Sequence, residues 1–205
     1  MDKKCIDEFI SIYNYEDIDD NLEIDNLKEF LLKKGEVICL AQNGIERVSA
    51  LNGEGLRYTI FCQGCQHNCD GCQNPETHNF NEGVIYSVDE LLNDYAIASG
   101  YTQGITLSGG DPLFPANYEG ILRLCKKFKS IPLYSEKNIW LYTGYTWENY
   151  VKDLEIVNYV DIIVDGKFEK DKRSYNLRFK GSSNQRLINV AETIKSDKVI
   201  IKEIN

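Results

Sequence analysis

Four cysteines within eleven residues limit what this chain can fold into more than any other feature. They occur in Cys62-Gln-Gly-Cys65-Gln-His-Asn-Cys69-Asp-Gly-Cys72, and the last three form the pattern C-x3-C-x2-C. Three thiolates can hold a four-iron cluster at three corners and leave one iron open, whereas a closed four-cysteine site mainly transfers electrons or maintains structure. We therefore predict a metal centre held by Cys65, Cys69 and Cys72.

The other cysteines are interpreted as packing residues. Cys62 ends a strand-like run, and free cysteine packs well in protein interiors. Cys5, Cys39 and Cys125 lie in ordinary patterned segments. An alternative stays open here, in which Cys62 completes a non-catalytic four-cysteine zinc or electron-transfer module. Paired C-x2-C zinc sites are, however, usually divided by a longer insert.

Composition limits the class of protein. The 205 residues, 42% hydrophobic and 27% charged, predict a globular chain with one main domain. A net charge of −9 argues against a nucleic-acid partner. We expect no membrane span and no export signal, because no apolar run is long enough and the N-terminus is acidic. The odd number of cysteines, seven, favours a reducing cytoplasm over a disulfide framework.

The segment before the cysteine loop predicts a helical extension followed by a hairpin. Residues 1–34 are acidic with helical apolar stripes, and Gly35 is a candidate C-cap. Two strand-like runs then meet across Asn43-Gly44, which is a strong hairpin pattern.

From Arg57 onward, short apolar strands alternate with helical segments. Ser87 and Glu90 form a capping box at the start of one helix, a second helix covers Asn117–Phe128, and a short one begins near Thr146. The strands are predicted over Arg57–Cys62, Gly104–Leu107, Ile139–Tyr142 and Tyr159–Val164. This alternation predicts an α/β fold of parallel βαβ units with right-handed crossovers.

Four loops of suggestive chemistry each follow the carboxyl end of a predicted strand: Cys65–Cys72, Ser108–Pro112, Thr143–Tyr145 and Asp165–Lys167. In parallel α/β folds that edge carries the active site. The strands are fewer than the eight of a closed barrel, so we predict an incomplete parallel β/α barrel. The Gly109-Gly110 pair would let backbone approach a ligand closely, with carbonyls facing an ammonium group and Asp111 adding charge.

The cysteine pattern together with Ser108-Gly109-Gly110-Asp111-Pro112 resembles the radical S-adenosylmethionine superfamily. Within it, the chain resembles the activating proteins of anaerobic ribonucleoside-triphosphate reductases over about residues 43–187. The resemblance implies a partial barrel of the radical S-adenosylmethionine type, which we assign to residues 43–205. The acidic helical and hairpin extension, residues 1–42, goes beyond the family's usual start. The motifs that carry it occur in this order: Asn52–Arg57, Gly64–Cys72, Ile139–Tyr145, Val164–Phe168 and Gly181–Arg186.

The resemblance implies an oxidoreductase that acts on a protein. Cys65, Cys69 and Cys72 would bind a [4Fe-4S] cluster whose open iron chelates S-adenosyl-L-methionine. An electron from a reductant such as flavodoxin would cleave the sulfonium to a 5′-deoxyadenosyl radical. That radical would then generate a glycyl radical on the large subunit of the reductase. The cofactor contacts implied are Gly71, Cys72, Gln73, Gly109, Gly110 and Asp111, with Asp165 and Lys167 as further candidates.

Two histidines complete the candidate site. His67, inside the cysteine loop, is expected to donate a hydrogen bond rather than bind metal, and His78 is expected on the surface or in packing. The radical scheme requires no general acid or base. Gln73 stands where the family usually has an aromatic residue, so we expect a backbone contact there. An activase of another glycyl radical enzyme, or a small-molecule enzyme of the superfamily, stays open.

Overall fold

The structure, a computed structural model, describes residues 31–204. This part begins with helical residues 31–33, and Gly35 follows with φ +68°. The Gly35 N–H donates to the Leu32 carbonyl and the Glu36 N–H to the Leu31 carbonyl, which is how a helix end satisfies its last carbonyls. The C-cap predicted at Gly35 is therefore confirmed, whereas the stripes predicted within residues 1–30 lie outside the described residues.

Within residues 31–204, a mixed sheet of seven strands organises the fold. The strands are β1 (Val37–Ser49), β2 (Arg57–Cys62), β3 (Val84–Ser87), β4 (Gly104–Gly109), β5 (Asn138–Tyr142), β6 (Ile162–Asp165) and β7 (Arg186–Asn189). Their order across the sheet is β3-β1-β2-β4-β5-β6-β7. Strands β2, β4, β5 and β6 are parallel, and β1, β3 and β7 pair antiparallel at the two flanks. The α/β class and the parallel centre are confirmed.

Beyond the helical residues 31–33, the part of the chain that the structure describes contains three α-helices, which pack against this sheet or its edges: α1 (Val88–Ala98), α2 (Pro115–Ser130) and α3 (Val190–Ser196). The capping box is confirmed, because the Ser87 hydroxyl accepts from the Glu90 N–H and the Glu90 carboxylate accepts from the Ser87 N–H. The short helix predicted near Thr146 is wrong, since two 3-10 turns, Val151–Asp153 and Glu155–Asn158, stand there. Within residues 31–204 no helix has the length and apolar character needed to cross a membrane.

The hairpin predicted at Asn43-Gly44 is also wrong. Strand β1 continues through both residues and pairs with β3 on one side and β2 on the other. Between the pairs Leu40–Cys62 and Ile45–Ile60 the register shifts, because β1 carries extra residues there. Asn43 takes φ +56°, so the Asn-Gly pair forms a β-bulge inside one long strand. The division predicted between residues 42 and 43 lies within this strand.

A buried arginine ties together the amino-terminal ends of three parallel strands. Arg57 opens β2, is fully buried, and lies over the Trp140 ring with 5.8 Å from guanidinium carbon to ring centre. Its guanidinium donates to the Thr106 hydroxyl (3.0 Å), the Ile105 carbonyl (2.5 Å), and the carbonyl and side-chain oxygens of Asn138. Burial lowers the pKa of Arg57 to about 10.

Replacing this arginine tests how much the buried donors contribute. We expect Arg57→Met to lower the free energy of unfolding by about 3 kcal/mol, because several buried acceptors lose their donors. Arg57→Lys should cost less, since lysine keeps the charge but not the planar fork. Urea unfolding measures both. The control is Arg47→Met, which removes an exposed ion pair with Asp94 and should cost much less stability than Arg57→Met. Equal losses for Arg57→Met and Arg47→Met would contradict the prediction.

Candidate functional site

The four loops predicted to meet at one sheet edge line a common cavity of about 340 Å³. Because the four central strands are parallel, their carboxyl ends lie side by side. The expected convergence is therefore confirmed. The cavity wall includes residues from each of these loops: Cys65, Cys69, Cys72, Ser108, Gly109, Gly110, Thr143, Gly144 and Gly166.

Backbone hydrogen bonds anchor the root of the cysteine loop. The Gly64 N–H donates to the Thr77 carbonyl at 2.7 Å, and the Cys65 N–H donates to the His78 carbonyl at 3.2 Å. Gly64 has φ +105°, and the rings of two phenylalanines fill the space where a side chain would stand. A glycine is needed at this position, because any larger residue would be strained and would displace aromatic packing.

The described cysteines divide into two groups by burial. Cys65, Cys69 and Cys72 are half-buried and line the cavity, whereas Cys39, Cys62 and Cys125 are fully buried. Cys62 is thus a core residue, as the strand pattern predicted. Burial raises the pKa of Cys65 to about 11 and also raises the pKa of Cys72. A metal that binds these thiols would release their protons.

The three cavity cysteines are the residues that could hold a metal centre. Their thiols are free, belong to one loop and share one wall. Among residues 31–204 no three cysteine, histidine or carboxylate side chains close around a single metal ion. A four-iron cluster is larger than one ion and is held by thiolates of this kind. The donor chemistry and the open cavity beside it fit such a cluster.

The glycine pair after β4 packs directly on the cysteine loop. The Gly110 N–H donates to the Cys62 carbonyl at 2.8 Å, and the Asp111 N–H donates to the Gly64 carbonyl at 2.9 Å. Gly109 has φ +97°. A Cβ at Gly110 would lie 2.5 Å from the Gly64 carbonyl oxygen. Both glycines are therefore needed for contact between the loops, and the wall they present to the cavity is backbone.

Asp111 lies behind that wall. Its side chain is 1% exposed, and it is absent from the residues that line the cavity. The carboxylate accepts hydrogen bonds from four donors of the protein, on Leu113, Thr143, Gly144 and His67. The charge that the sequence suggested for a ligand is thus directed at neighbouring loops.

The other predicted residues divide between the wall and its support. Cys72 and Gln73 line the cavity. Gly71 turns the loop with φ +69° and faces the Lys170 side chain instead. Asp165 is 1% exposed and accepts from the Arg186 guanidinium and the Trp147 N–H. Lys167 lines a neighbouring groove.

Sequence reasoning missed the part of the cavity wall that the loop after β6 supplies. Leu177, Phe179 and Gly181 come from the long loop between β6 and β7, which has little regular structure. Gln185 organises this loop, because its side chain accepts from the Gly181 and Ser182 N–H groups and donates to the Gly166 carbonyl. The motif Gly181–Arg186 marked the segment, but no periodicity indicated that it would fold over the site.

A second, wider groove of about 1,100 Å³ adjoins the cavity. His67, Gly144 and Gly166 line both. In the groove the Gln66 amide donates to the Tyr145 hydroxyl at 2.6 Å, and Tyr145 packs on Tyr150. Polar and apolar surface line the groove in about equal parts, and the groove shares His67, Gly144 and Gly166 with the cysteine-lined cavity.

Comparisons with known proteins agree with this geometry. A family model described as a 4Fe-4S single cluster domain matches residues 51–188. The chain is similar to proteins named anaerobic ribonucleoside-triphosphate reductase-activating protein. That of Enterobacteria phage T4 is 44% identical over 140 residues, covering 67% of this chain and 86% of the relative. That of Escherichia coli strain K12 is 38% identical over 143 residues, covering 67% and 91%. That of Haemophilus influenzae is 38% identical over 140 residues, covering 66% and 88%.

Substitution of Gly144 tests the placement of His67. A Cβ at Gly144 would overlap the His67 ring, although the Gly144 backbone itself is unstrained. We expect Gly144→Ala to lower the free energy of unfolding by about 1–3 kcal/mol, because the ring must move. The control is Gly100→Ala, because a Cβ at this position would have open space around it. This substitution should leave the free energy of unfolding unchanged or raise it by about 0.5 kcal/mol. Thermal and urea unfolding measure both, and a neutral Gly144→Ala would contradict the placement.

The pH dependence of stability tests the clamp between Arg186 and Glu148. Hydrogen bonds from Arg186 lower the pKa of Glu148 to about 2. A carboxyl whose pKa falls on folding stabilises above its unfolded pKa, and that contribution disappears as the pH drops toward the folded value. Because Glu148 is half-exposed, Glu148→Gln should cost at most about 1 kcal/mol at pH 6. In urea unfolding the difference should shrink toward zero near pH 2, whereas a pH-independent difference would contradict the assignment.

Proposed function

The chain belongs to the anaerobic ribonucleoside-triphosphate reductase-activating proteins and carries their 4Fe-4S domain, and we propose that it is an activase that generates a glycyl radical on such a reductase. The observation that carries the proposal is the pairing of two walls in one cavity. One wall holds the three free thiols of the C-x3-C-x2-C loop, and the other is the exposed backbone of Gly109 and Gly110.

Cys65, Cys69 and Cys72 would hold the [4Fe-4S] cluster within a partial barrel of the radical S-adenosylmethionine type. When bound, the cluster and S-adenosyl-L-methionine supply reductive sulfonium cleavage and a 5′-deoxyadenosyl radical, chemistry that no side chain provides. The three thiols are half-buried and free, whereas Cys39, Cys62 and Cys125 are sealed in the core. This contrast supports three ligands rather than four.

S-adenosyl-L-methionine would occupy the cavity beside the cysteines. A volume of about 340 Å³ lies within the range of small-molecule sites. Gly109 and Gly110 would offer backbone to the amino group, Cys72 and Gln73 would contact the ligand from the cysteine loop, and Gly71 would turn that loop. Apolar side chains of Phe168, Leu177 and Phe179 also line the cavity and would exclude water from a reactive intermediate.

The glycine-bearing segment of the reductase would reach the cavity through the adjoining groove. The groove opens into the cavity at His67, Gly144 and Gly166, and two of these residues have no side chain to obstruct an approaching chain. Hydroxyl and amide groups of Tyr145, Asn149 and Asn184 line the groove and can bond an extended backbone. A reductant such as flavodoxin would supply the electron, and free thiols of this kind persist in a reducing cytoplasm.

Metal content tests the ligand set. Anaerobic reconstitution should yield about four irons per chain. Cys65→Ser, Cys69→Ser and Cys72→Ser should each abolish the cluster, because each removes one of three thiolates. Cys62→Ala is the matched control and should retain the irons, since that thiol lies in the core. Loss of metal from Cys62→Ala, or zinc as the one stably bound metal in the wild type, would overturn the three-thiolate site.

Reaction products test the activity. With dithionite, the reconstituted protein should convert S-adenosyl-L-methionine to 5′-deoxyadenosine and methionine. Incubation with the matching reductase should then give the doublet of a glycyl radical in electron paramagnetic resonance, absent with a reductase whose glycine is replaced by alanine. A complete cluster that leaves S-adenosyl-L-methionine intact would contradict the proposal. Cleavage without a radical on this reductase, but with one on another glycyl radical enzyme, would reassign the partner.

A further inference from the structure

One buried carboxylate connects three of the four loops of the site. Asp111 belongs to the loop after β4, Thr143 and Gly144 to the loop after β5, and His67 to the cysteine loop. We propose that Asp111 and His67 form a positioning pair that holds the tip of the cysteine loop in the conformation that binds the cluster. The contacts stand on the structure alone, and their consequence for a cluster rests on the proposed function.

The Asp111 carboxylate is saturated by donors from these loops. Its Oδ1 accepts from the Leu113 N–H at 2.9 Å and the Thr143 hydroxyl at 3.0 Å. Its Oδ2 lies 3.0 Å from the Gly144 N and 2.6 Å from His67 Nε2. A carboxylate has no donor, so the short contact places a proton on His67 Nε2. Hydrogen bonds to an ionised group are stronger than neutral ones, and this one reaches into the cysteine loop.

His67 is held on its remaining sides as well. The imidazole is 7% exposed and meets the Tyr145 ring edge-on, with 4.5 Å between ring centres. The absence of a side chain at Gly144 makes room for it. His67 stands two residues from both Cys65 and Cys69 in the chain. A residue locked by its side chain thus orients the backbone between two predicted ligands.

The two residues of the pair have different positions relative to the cavity. Asp111 does not line the cavity, so it acts through His67 rather than on a bound molecule, whereas His67 itself belongs to the cavity lining. Between Cys65 and Cys69 the loop turns at Asn68 with φ +47°, a conformation that costs energy and persists when neighbouring contacts hold it. Hydrogen bonds and solvent exposure around an iron–sulfur cluster set its reduction potential. Freeing the loop tip should therefore change both thiol accessibility and potential.

The first test uses the metal-free chain. His67→Phe keeps a ring against Tyr145 but removes the hydrogen-bond donor. We expect iodoacetamide to alkylate Cys65, Cys69 and Cys72 about tenfold faster in this variant. That factor corresponds to the loss of one hydrogen bond to a charged group. His67→Gln restores an N–H near the Nε2 position and should return the rates toward wild type. Mass spectrometry resolves each cysteine, and amide hydrogen exchange over residues 64–72 should follow the same order.

A matched control separates loop positioning from general destabilisation. Asp94 accepts from Arg47 and the Tyr58 hydroxyl away from the site, so Asp94→Asn should lower stability without exposing the cysteine loop. Asp111→Asn should accelerate cysteine alkylation as His67→Phe does. The double variant should react only slightly faster than Asp111→Asn alone, because the two residues act as one pair. Unchanged thiol rates in His67→Phe, or equal acceleration in Asp94→Asn, would overturn the proposal.

The second test uses the reconstituted protein. We expect the midpoint potential of the cluster to shift in His67→Phe and Asp111→Asn, with restoration in His67→Gln and no shift in Asp94→Asn. Iron release to a chelator should accelerate in the same two variants. An unshifted potential with unchanged iron release would contradict the pair. If the wild type binds no cluster, the proposed function fails, whereas the thiol and exchange measurements still decide the positioning role.

Discussion

Parallel hydrogen bonding among β2, β4, β5 and β6 is the constraint on which the rest of the structure depends. In register, Cys62 of β2 lies beside Gly109 of β4, and Leu107 lies beside Leu141 of β5. Each strand therefore ends at the same edge and releases its loop there. At the opposite edge Arg57 bonds the first residues of the neighbouring strands. The buried Arg57 guanidinium thus joins the amino-terminal ends of the strands, whereas the loops at their carboxyl ends line a cavity.

The cysteine loop is held at both its root and its tip. At the root, the fully buried Asn117 of α2 accepts from the Cys39 N–H and donates to the Gln63 carbonyl, which links β1, α2 and the start of the loop. At the tip, His67 bonds Asp111. A loop of this length without regular structure has a high conformational entropy to lose. Two buried polar anchors offset that cost before any metal binds.

The sequence predicted those features that local patterns encode. The capping box at Ser87 and the strand Arg57–Cys62 depend on residues close in the chain, and both are confirmed. The dipeptide Asn43-Gly44 is compatible with both a hairpin turn and a β-bulge. The pairing of its strand with two neighbouring strands is what selects the bulge. The hydrogen bond from the Thr143 hydroxyl to Asp111 could not be predicted from the sequence either, because 32 residues separate the two. Pattern thus predicts which loops meet, whereas long-range contacts decide which side chains face the cavity.

Glycines and carboxylates play complementary roles around this cavity. Gly64, Gly109 and Gly166 each take a positive φ, and glycine loses more conformational entropy on folding than any other residue. Asp111 and Asp165 are each 1% exposed and each bond groups from a different loop. The two carboxylates therefore restrain loops that glycine leaves free, and their charges are compensated away from the cavity wall. Among the described residues, the cavity lining therefore contains no carboxylate, and backbone, thiols and aromatic rings line it together with amides, His67, His78 and Lys180. A bound cofactor in this cavity would meet neutral and basic groups, while the buried acidic groups hold the loops around it.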